Sequence, residues 1–358
     1  MSLATRIIAG AVGVAAAGAT VAGVATTRRQ AAAIHDRPGD PAAAPLGSLR
    51  SRGRTVVAED GVPLHVEVDE VDPGMNDAGL PTVVFVHGYA LNADCWHFQR
   101  AALRGRVRTV FYDQRSHGRS GRSGLANATI EQLGVDLRAI IEQVVPEGPV
   151  VLVGHSMGGM SVVALAAQYP ELFGRAEDGG KVAGVCLIST TAGGLDPSRV
   201  LFPLVPARVG GGLAYGMVRG LARSHRAVDG IRRAGRTAAV VLTDRYSFGT
   251  EVPAGYVEFV DDMLSATPFE VLAEFFPSFR GMDMFDAVEA MNAVPTTIIC
   301  GTRDRITSIG HSRKLHSRIP HSTLVECEGA GHMVIMERRA EVDAEIEKLI
   351  TAAGSAAA

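Results

Sequence analysis

The strongest constraint on the fold lies in the stretch "VLVGHSMGGM", residues 151–160. It begins as a β-branched apolar run typical of a buried strand and continues into residues that favour a helix. Between the two, Ser156 lies two positions after Gly154 and two positions before Gly158. This G-x-S-x-G pattern predicts a nucleophile elbow, a sharp strand-to-helix turn that exposes the serine hydroxyl. The alternative is a small-residue turn whose serine only caps the helix.

From Thr55 onward, strand-like and helix-like segments alternate along the chain. The predicted strands are "TVVAE", "PLHVEVDE", "PTVVFVHG", "RVRTVFYD", "GPVVLVG", "KVAGVCLIS", "VPTTIICG" and "HSTLVECEG". The predicted helices are residues 94–103, 129–145, 157–169 and 336–353. We expect the first two strands to form a hairpin around Asp60 and Gly61, a common turn pair. The alternation that follows predicts an α/β fold with a mostly parallel sheet covered by helices on both faces.

The alternation is interrupted between Ser189 and Pro295, where helical patterns occur without a convincing pair of strands. An insertion of this size between two core strands predicts a functional lid. We therefore assign residues 193–292 to a helical cap and residues 55–192 and 293–353 to the α/β core.

The N-terminal part of the chain has a different composition. Residues 7–26 contain no charged side chain, and a helix of that length can cross a bilayer. We assign residues 1–29 to a membrane anchor, with a cleaved signal peptide of a secreted protein or a soluble helix as the alternatives. Residues 30–54 are rich in Ala, Pro, Gly and Arg without periodicity, which predicts a flexible linker. The sequence leaves the side of the membrane and the oligomeric state open.

Charge and cysteine content exclude several classes of protein. The chain has 35 basic and 38 acidic residues, so its net charge of −3 gives no reason to expect a nucleic acid as partner. The four cysteines are widely spaced without a C-x-x-C pair, which predicts neither a zinc site nor a disulfide framework. We expect the protein to need no metal and no cofactor.

Polar residues follow several of the predicted strands. A serine nucleophile needs a base, an acid that orients the base, and donors for the developing oxyanion. Asp304 follows the strand "TTIICG" and His332 follows "TLVECEG", in the chain order Ser, Asp, His that is expected for a nucleophile elbow. We expect the oxyanion donors to be the backbone amides of Tyr89 and Met157.

Each of these residues also has a structural interpretation. Asp304 could pair with Arg303 or Arg305, and His332 could cap a helix or lie on the surface. We assign His87 and Gly88 to support of the oxyanion turn, and we expect His155 to pack inside the elbow. Asp113 also ends a strand, and we interpret it as a structural carboxylate that bonds the following turn. It is the second candidate for the catalytic acid.

Five motifs together resemble the α/β-hydrolase superfamily, in the esterase- and lipase-like branch with a single HG-x oxyanion motif. They are "HGYALNADCW", "DQRSHGRS", "GHSMGG", "GTRDRITS" and "GAGHMVIME". The resemblance covers about residues 55–350 and leaves the N-terminal segment outside. One departure is Ser116, where relatives commonly have glycine, and we expect little effect because its motif is remote from those of the triad.

The resemblance implies an α/β-hydrolase fold with an inserted cap. It also implies that Ser156 is the nucleophile, His332 the base, Asp304 the orienting acid, and that the amides of Tyr89 and Met157 hold the oxyanion. Members that act on epoxides or haloalkanes need a carboxylate at the elbow, so a serine there removes both reactions.

The remaining expectation is hydrolysis of a small-molecule carboxylic ester. Residues 256–285 are rich in Phe, Met and Leu, which suits either a packed lid or the wall of an apolar acyl pocket. Together with the predicted anchor, this favours a lipophilic acyl group. The alternatives are a carbon–carbon bond hydrolase, a thioesterase or a non-haem peroxidase-type member, and, from another class, a non-catalytic binding module. Residues 205–236 carry seven arginines against one aspartate, which indicates either a solvated helix face or a surface for anionic lipid.

Overall fold

The computed structural model describes residues 25–40, 44–75, 79–174, 179–195 and 225–357. Most of the predicted anchor therefore lies outside the described residues. So do residues 196–224 of the insertion, which hold three of the seven arginines in residues 205–236. None of the helices within the described ranges combines the length and the apolar character that a bilayer crossing requires.

The core is a single sheet of eight strands in the described chain. The strands are β1 (Gly53–Val57), β2 (Pro63–Asp69), β3 (Thr82–Val86), β4 (Thr109–Tyr112), β5 (Val150–His155), β6 (Val182–Ile188), β7 (Thr296–Gly301) and β8 (Thr323–Cys327). Their order across the sheet is β1-β2-β4-β3-β5-β6-β7-β8. The pairs β1–β2 and β2–β4 are antiparallel and all the other pairs are parallel. The predicted hairpin and the predicted mostly parallel α/β sheet are both confirmed.

Helices cover both faces of this sheet. They are α1 (residues 25–35), α2 (His97–Leu103), α3 (Ile130–Val144), α4 (Met157–Gln168), α5 (His225–Ser247), α6 (Ala254–Ala266), α7 (Phe269–Gly281), α8 (Ile309–Arg318), α9 (Val334–Glu337) and α10 (Arg339–Ala357). On β5, Val150 and Leu152 join the apolar cluster of α3 and α4, whereas Val151 and Val153 join that of α2 and α10. Because both faces of the strand are buried, its sequence is apolar throughout rather than alternating.

The described part of the insertion between β6 and β7 contains the helices α5, α6 and α7. Two apolar side chains of α7, Phe275 and Phe279, are buried in the same cluster as α3 and α4. The Ile130 amide at the start of α3 also donates to Ser278 Oγ of α7 at 2.9 Å. The helical content agrees with the predicted cap, and its boundaries stay a prediction.

The segment predicted as a flexible linker differs from that expectation at its start. Helix α1 buries Ala31 and Ile34, and Ile34 joins the apolar cluster of α2 and α10. Arg37 then donates to both carboxylate oxygens of Asp244 in α5, at 2.5 and 3.0 Å. His35 pairs with Glu258 of α6 at 2.8 Å, and Asp40 accepts hydrogen bonds from Tyr256 and Arg339. These polar contacts are with residues far away in the sequence, so they leave no periodic pattern within the segment itself.

A buried guanidinium organises the turn after β4. Arg115 is fully buried and donates two hydrogen bonds of 2.6 Å to Asp136 and others to Asp60. The hydrogen bond from Arg115 is the main reason why the pKa of Asp60 falls to about 2. The next residue, Ser116, has a φ of +66°, in the left-handed region that favours glycine. This conformation explains why a glycine suits the position, and Ser116 Oγ accepts a hydrogen bond from the Ser123 amide at 2.9 Å.

Candidate active site

The structure places Ser156 between β5 and α4 with φ of +54° and ψ of −119°. A non-glycine residue adopts such a conformation only when its surroundings hold it there. The Ser156 amide donates to the carbonyl of Ile188 at 2.9 Å, and Thr190 Oγ1 donates to the carbonyl of Ser156 at 2.6 Å. The end of β6 and the residues after it therefore fix the backbone at this turn.

Three glycines let the surrounding backbone approach the turn. A Cβ at Gly158 would lie 2.0 Å from the carbonyl oxygen of Val86, and a Cβ at Gly154 would lie 2.7 Å from the backbone of Gly158. A Cβ at Gly88 would lie 3.1 Å from Cβ of Ser156. A side chain at Gly158 or Gly154 would push α4 away from β3 or β5, which explains the residue types of the G-x-S-x-G pattern.

Asp304 and His332 lie in the loops after β7 and β8. His332 Nδ1 donates to Asp304 Oδ2 at 2.9 Å, so the imidazole carries its proton on Nδ1 and leaves Nε2 free to accept one. The other carboxylate oxygen of Asp304 accepts the amides of Ile306 and Thr307 at 2.8 and 2.9 Å. Thr307 Oγ1 donates to Asp304 Oδ2 at 2.8 Å.

The surroundings of Asp304 keep its carboxylate ionised. Burial by itself would raise the pKa of this carboxyl, but the charge and hydrogen bond of His332, the Ile306 amide and the Thr307 hydroxyl hold it below its usual value. An ionised, buried carboxylate can stabilise an imidazolium that forms during a reaction. The sequence reasoning did not single out Thr307, although a hydroxyl three positions after a loop aspartate is a known local hydrogen-bond pattern.

The pairing of Asp304 with a neighbouring arginine does not occur. Arg303 donates instead to the carbonyl of Gly249 at 3.2 Å, and Arg305 donates to the carbonyl of Arg245 at 2.7 Å. Both arginines thus bond the segment at the end of α5, and the Asp304 carboxylate bonds His332 instead.

Ser156 and His332 both line a cavity of about 560 Å³ between the core and the cap. Its walls are largely apolar, with Leu242, Val260 and Leu264 from the cap helices α5 and α6. The sixteen described residues that line it include no Lys, Arg, Asp or Glu. Within the part of the chain that the structure describes, this cavity therefore suits an uncharged, apolar ligand.

The backbone amides of Tyr89 and Met157 remain the predicted oxyanion donors. Tyr89 follows Gly88 and lines the same cavity. Met157 is the first residue of α4, so its amide precedes the helical hydrogen bonds and has no intrahelical acceptor. The positive end of the helix dipole at this position also favours a negative charge.

His87, assigned to support of the oxyanion turn, and His155, expected to pack inside the elbow, are both fully buried, and burial lowers the pKa of each imidazole. His87 Nδ1 donates to the carbonyl of Gly88 at 2.7 Å, and its Nε2 accepts the Gln114 amide at 2.9 Å. His155 Nε2 donates to the carbonyl of His332 at 3.0 Å. Burial, together with the neighbouring His332, lowers the pKa of His155 to about 3. These contacts orient the loops around the cavity, as expected for residues that pack.

Asp113 is fully buried and faces the turn that follows it. Its Oδ1 accepts the Ala93 amide at 2.8 Å, and its Oδ2 accepts the amide and Nε of Arg119 at 2.9 and 2.8 Å. Both oxygens are engaged in these contacts, in agreement with a structural carboxylate.

Comparisons with known proteins point to one family. The sequence profile described as "Alpha/beta hydrolase family" matches residues 83–345. The Mycobacterium tuberculosis protein Rv2715 is 26% identical over 258 residues, which cover 70% of this chain and 70% of that protein. The 3-oxoadipate enol-lactonase 2 of Acinetobacter baylyi is 25% identical over 263 residues, 73% of this chain and 85% of the relative. A solved esterase from Exiguobacterium antarcticum has the same fold, with a TM-score of 0.65 at 18% identity, and the match covers 84% of this chain and 100% of the esterase.

Proposed function

This chain belongs to the alpha/beta hydrolase family, and we propose that it is a serine hydrolase that cleaves neutral carboxylic esters with a lipophilic acyl group. The observation that supports this most directly is the shared cavity of Ser156 and His332. Asp304 accepts a hydrogen bond from His332 Nδ1, so the other ring nitrogen, Nε2, is left to accept a proton. This arrangement provides a nucleophile, a base and an orienting acid in one site.

The proposed reaction follows from these positions. Ser156 Oγ attacks the ester carbonyl while His332 Nε2 accepts its proton, and Asp304 stabilises the resulting imidazolium. The amides of Tyr89 and Met157 donate to the oxyanion of the tetrahedral intermediate. His332 then protonates the leaving alcohol and activates the water that hydrolyses the acyl-enzyme.

The lining of the cavity supports an uncharged substrate. A carboxylate that entered it would lose hydration without a described cationic side chain to pair with, and burial of an unpaired charge is costly. The 3-oxoadipate in the name of the Acinetobacter baylyi relative is a carboxylate. We therefore do not carry that substrate over to this chain.

Two esters that differ only by a charge test this proposal. We expect kcat/KM for mono-p-nitrophenyl adipate to be about 100-fold or more below that for p-nitrophenyl hexanoate, because the terminal carboxylate must be desolvated. Initial rates over a range of concentrations at pH 7 give both values. Equal values would contradict the neutral substrate class. A higher kcat/KM for the hexanoyl thioester than for the oxygen ester would assign the protein to the thioesterases instead.

Membrane attachment is a separate proposal that rests on the uncharged residues 7–26 alone. We expect the full chain to fractionate with membranes and a chain without residues 1–24 to be released in active form. The deletion stops before α1, whose Ala31 and Ile34 are buried. Immunoblotting of membrane and soluble fractions measures the distribution. A deletion through residue 40 is the matched control, and we expect a lower melting temperature because it removes these contacts and the Arg37–Asp244 ion pair.

Uncleaved full-length protein found only in the soluble fraction would contradict the anchor. A shortened chain in the secreted fraction would favour the signal peptide.

A further inference from the structure

Two hydrogen bonds join the cap to residues 88–91, which we call the oxyanion loop. Tyr89 Oη donates to the carbonyl of Leu272 in α7 at 2.5 Å. Thr267 Oγ1, between α6 and α7, donates to the carbonyl of Ala90 at 3.0 Å. Both bonds connect consecutive residues of the loop with one end of the cap, although the sequence separation is more than 170 residues.

The oxyanion loop has a conformation that needs external support. Ala90 has a φ of +61° in the left-handed region and is 4% exposed. Such a conformation is unfavourable for alanine and persists when the surroundings determine it. Inside the loop, the Leu91 amide donates to the carbonyl of Gly88 at 3.2 Å. The two hydrogen bonds with the cap are made by Tyr89 and Ala90, which lie between Gly88 and Leu91. They therefore help to set the direction of the Tyr89 amide.

The Tyr89 ring is held on its other sides as well. It packs edge-to-face against Phe279 of α7, with ring centroids 5.0 Å apart, and lies 6.2 Å from the ring of His117. Burial raises the pKa of the phenol above its usual value, so the hydroxyl remains a neutral donor. A residue with this many fixed contacts has little freedom to rotate independently of the cap.

We propose that Tyr89 is a positioning residue. The hydrogen bond from its hydroxyl to the Leu272 carbonyl of the cap holds its own backbone amide in line with the oxyanion. The inference rests on the proposed function and extends it, because it makes stabilisation of the transition state depend on the seating of the cap. An oxyanion donor is effective only within about 2.7–3.1 Å of the oxygen, and loss of one donor lowers kcat by about 10²–10³. A misaligned amide retains part of this contribution.

The variant Tyr89→Phe removes the hydroxyl and keeps the ring. We expect kcat for p-nitrophenyl hexanoate to fall about tenfold with a nearly unchanged KM, because the apolar walls still bind the ground state. Thr267→Val removes the second bond, and we expect it to shift kcat in the same direction.

Tyr256→Phe is the matched control. Tyr256 Oη donates to Asp40 at 2.6 Å, and Asp40 also accepts Arg339 Nη1 of α10 at 2.8 Å. This hydroxyl therefore also connects a cap helix, α6, with the rest of the protein, but its partners Asp40 and Arg339 do not belong to the oxyanion loop. A general loosening of the cap would affect both variants, whereas misalignment of the amide would affect only Tyr89→Phe.

A trifluoromethyl ketone with a hexyl chain supplies a readout that a merely structural role would not change. Ser156 Oγ bonds to the ketone carbon, its proton moves to His332, and the carbonyl electron pair becomes an oxyanion in the position of the transition state. We expect the inhibition constant to rise about tenfold in Tyr89→Phe, in parallel with kcat, and to stay unchanged in Tyr256→Phe.

Tyr89→Phe with wild-type kcat and wild-type inhibition constant would overturn the inference, and so would equal losses in Tyr256→Phe. Failure of the proposed function gives a different result, because the wild-type protein would then hydrolyse neither ester. In that case, calorimetry would still compare the affinities of the wild-type protein and of Tyr89→Phe for the ketone. Equal affinities of these two proteins would overturn the inference.

Discussion

Ser156→Ala is expected to lower kcat for p-nitrophenyl hexanoate by about 10⁵-fold while the protein remains folded. The hydroxyl is the only group that the proposed mechanism allows to bond the acyl carbon, so its removal leaves binding and the oxyanion donors alone. Alanine at a φ of +54° carries the same backbone strain as serine. We therefore expect a nearly unchanged melting temperature, measured by calorimetry.

Labelling with a fluorophosphonate supplies the control for this variant. The wild-type protein should form one covalent adduct, located at Ser156 by mass spectrometry, and Ser156→Ala should form none. Hydrolysis by Ser156→Ala at the wild-type rate would exclude this serine as the nucleophile. Labelling of another serine in both proteins would place the site elsewhere.

Asp304→Asn is expected to lower kcat by about 10⁴-fold with a smaller change in KM. An asparagine can turn its NH₂ group toward His332 Nδ1, which stabilises the tautomer with the proton on Nε2, and that tautomer cannot accept the serine proton. Steady-state kinetics at pH 7 separate the two constants.

The variant should also change stability with pH in a defined direction. The pKa of Asp304 lies below its usual value, so its ionised form stabilises the fold above about pH 4, and this contribution is lost as the pH falls through the lower pKa of the folded state. We expect the difference in melting temperature between wild type and Asp304→Asn to shrink below about pH 4.

Asp113→Asn is the matched control for the acid. Its oxygens bond Ala93 and Arg119, so we expect a free energy of unfolding lower by about 1–3 kcal/mol and a much smaller effect on kcat than in Asp304→Asn. Retained kcat in Asp304→Asn together with lost kcat in Asp113→Asn would assign the acid to Asp113.

The sequence by itself determined the fold class and the positions of the strands along the chain, whereas the order of the strands across the sheet comes from the structure. These features follow from local rules: apolar runs predict buried strands, Asp60 and Gly61 predict a turn, and Thr129 predicts the start of α3, where its side chain accepts the Gln132 amide at 3.2 Å. The glycine pattern around Ser156 is equally local, because a Cβ at Gly158 would collide with the carbonyl of Val86. A collision of that kind restricts the residue type directly, so it is visible in a single sequence.

Tertiary structure decided between the alternatives that the sequence left open for Asp304, and it alone showed which described side chains line the cavity. Asp304 has arginines on both sides in sequence, yet it bonds His332, 28 positions away. Tyr89 reaches Leu272 across 183 positions. The sequence predicted the Asp304–His332 pairing only as one of two alternatives and did not predict the Tyr89–Leu272 bond. An ion pair or a single hydrogen bond restricts only two residues and leaves their neighbours free. The lining of the cavity, in which none of the described residues is Lys, Arg, Asp or Glu, also depends on which side chains of α5, α6 and the core loops converge. Only the packing of the cap on the sheet brings these side chains together.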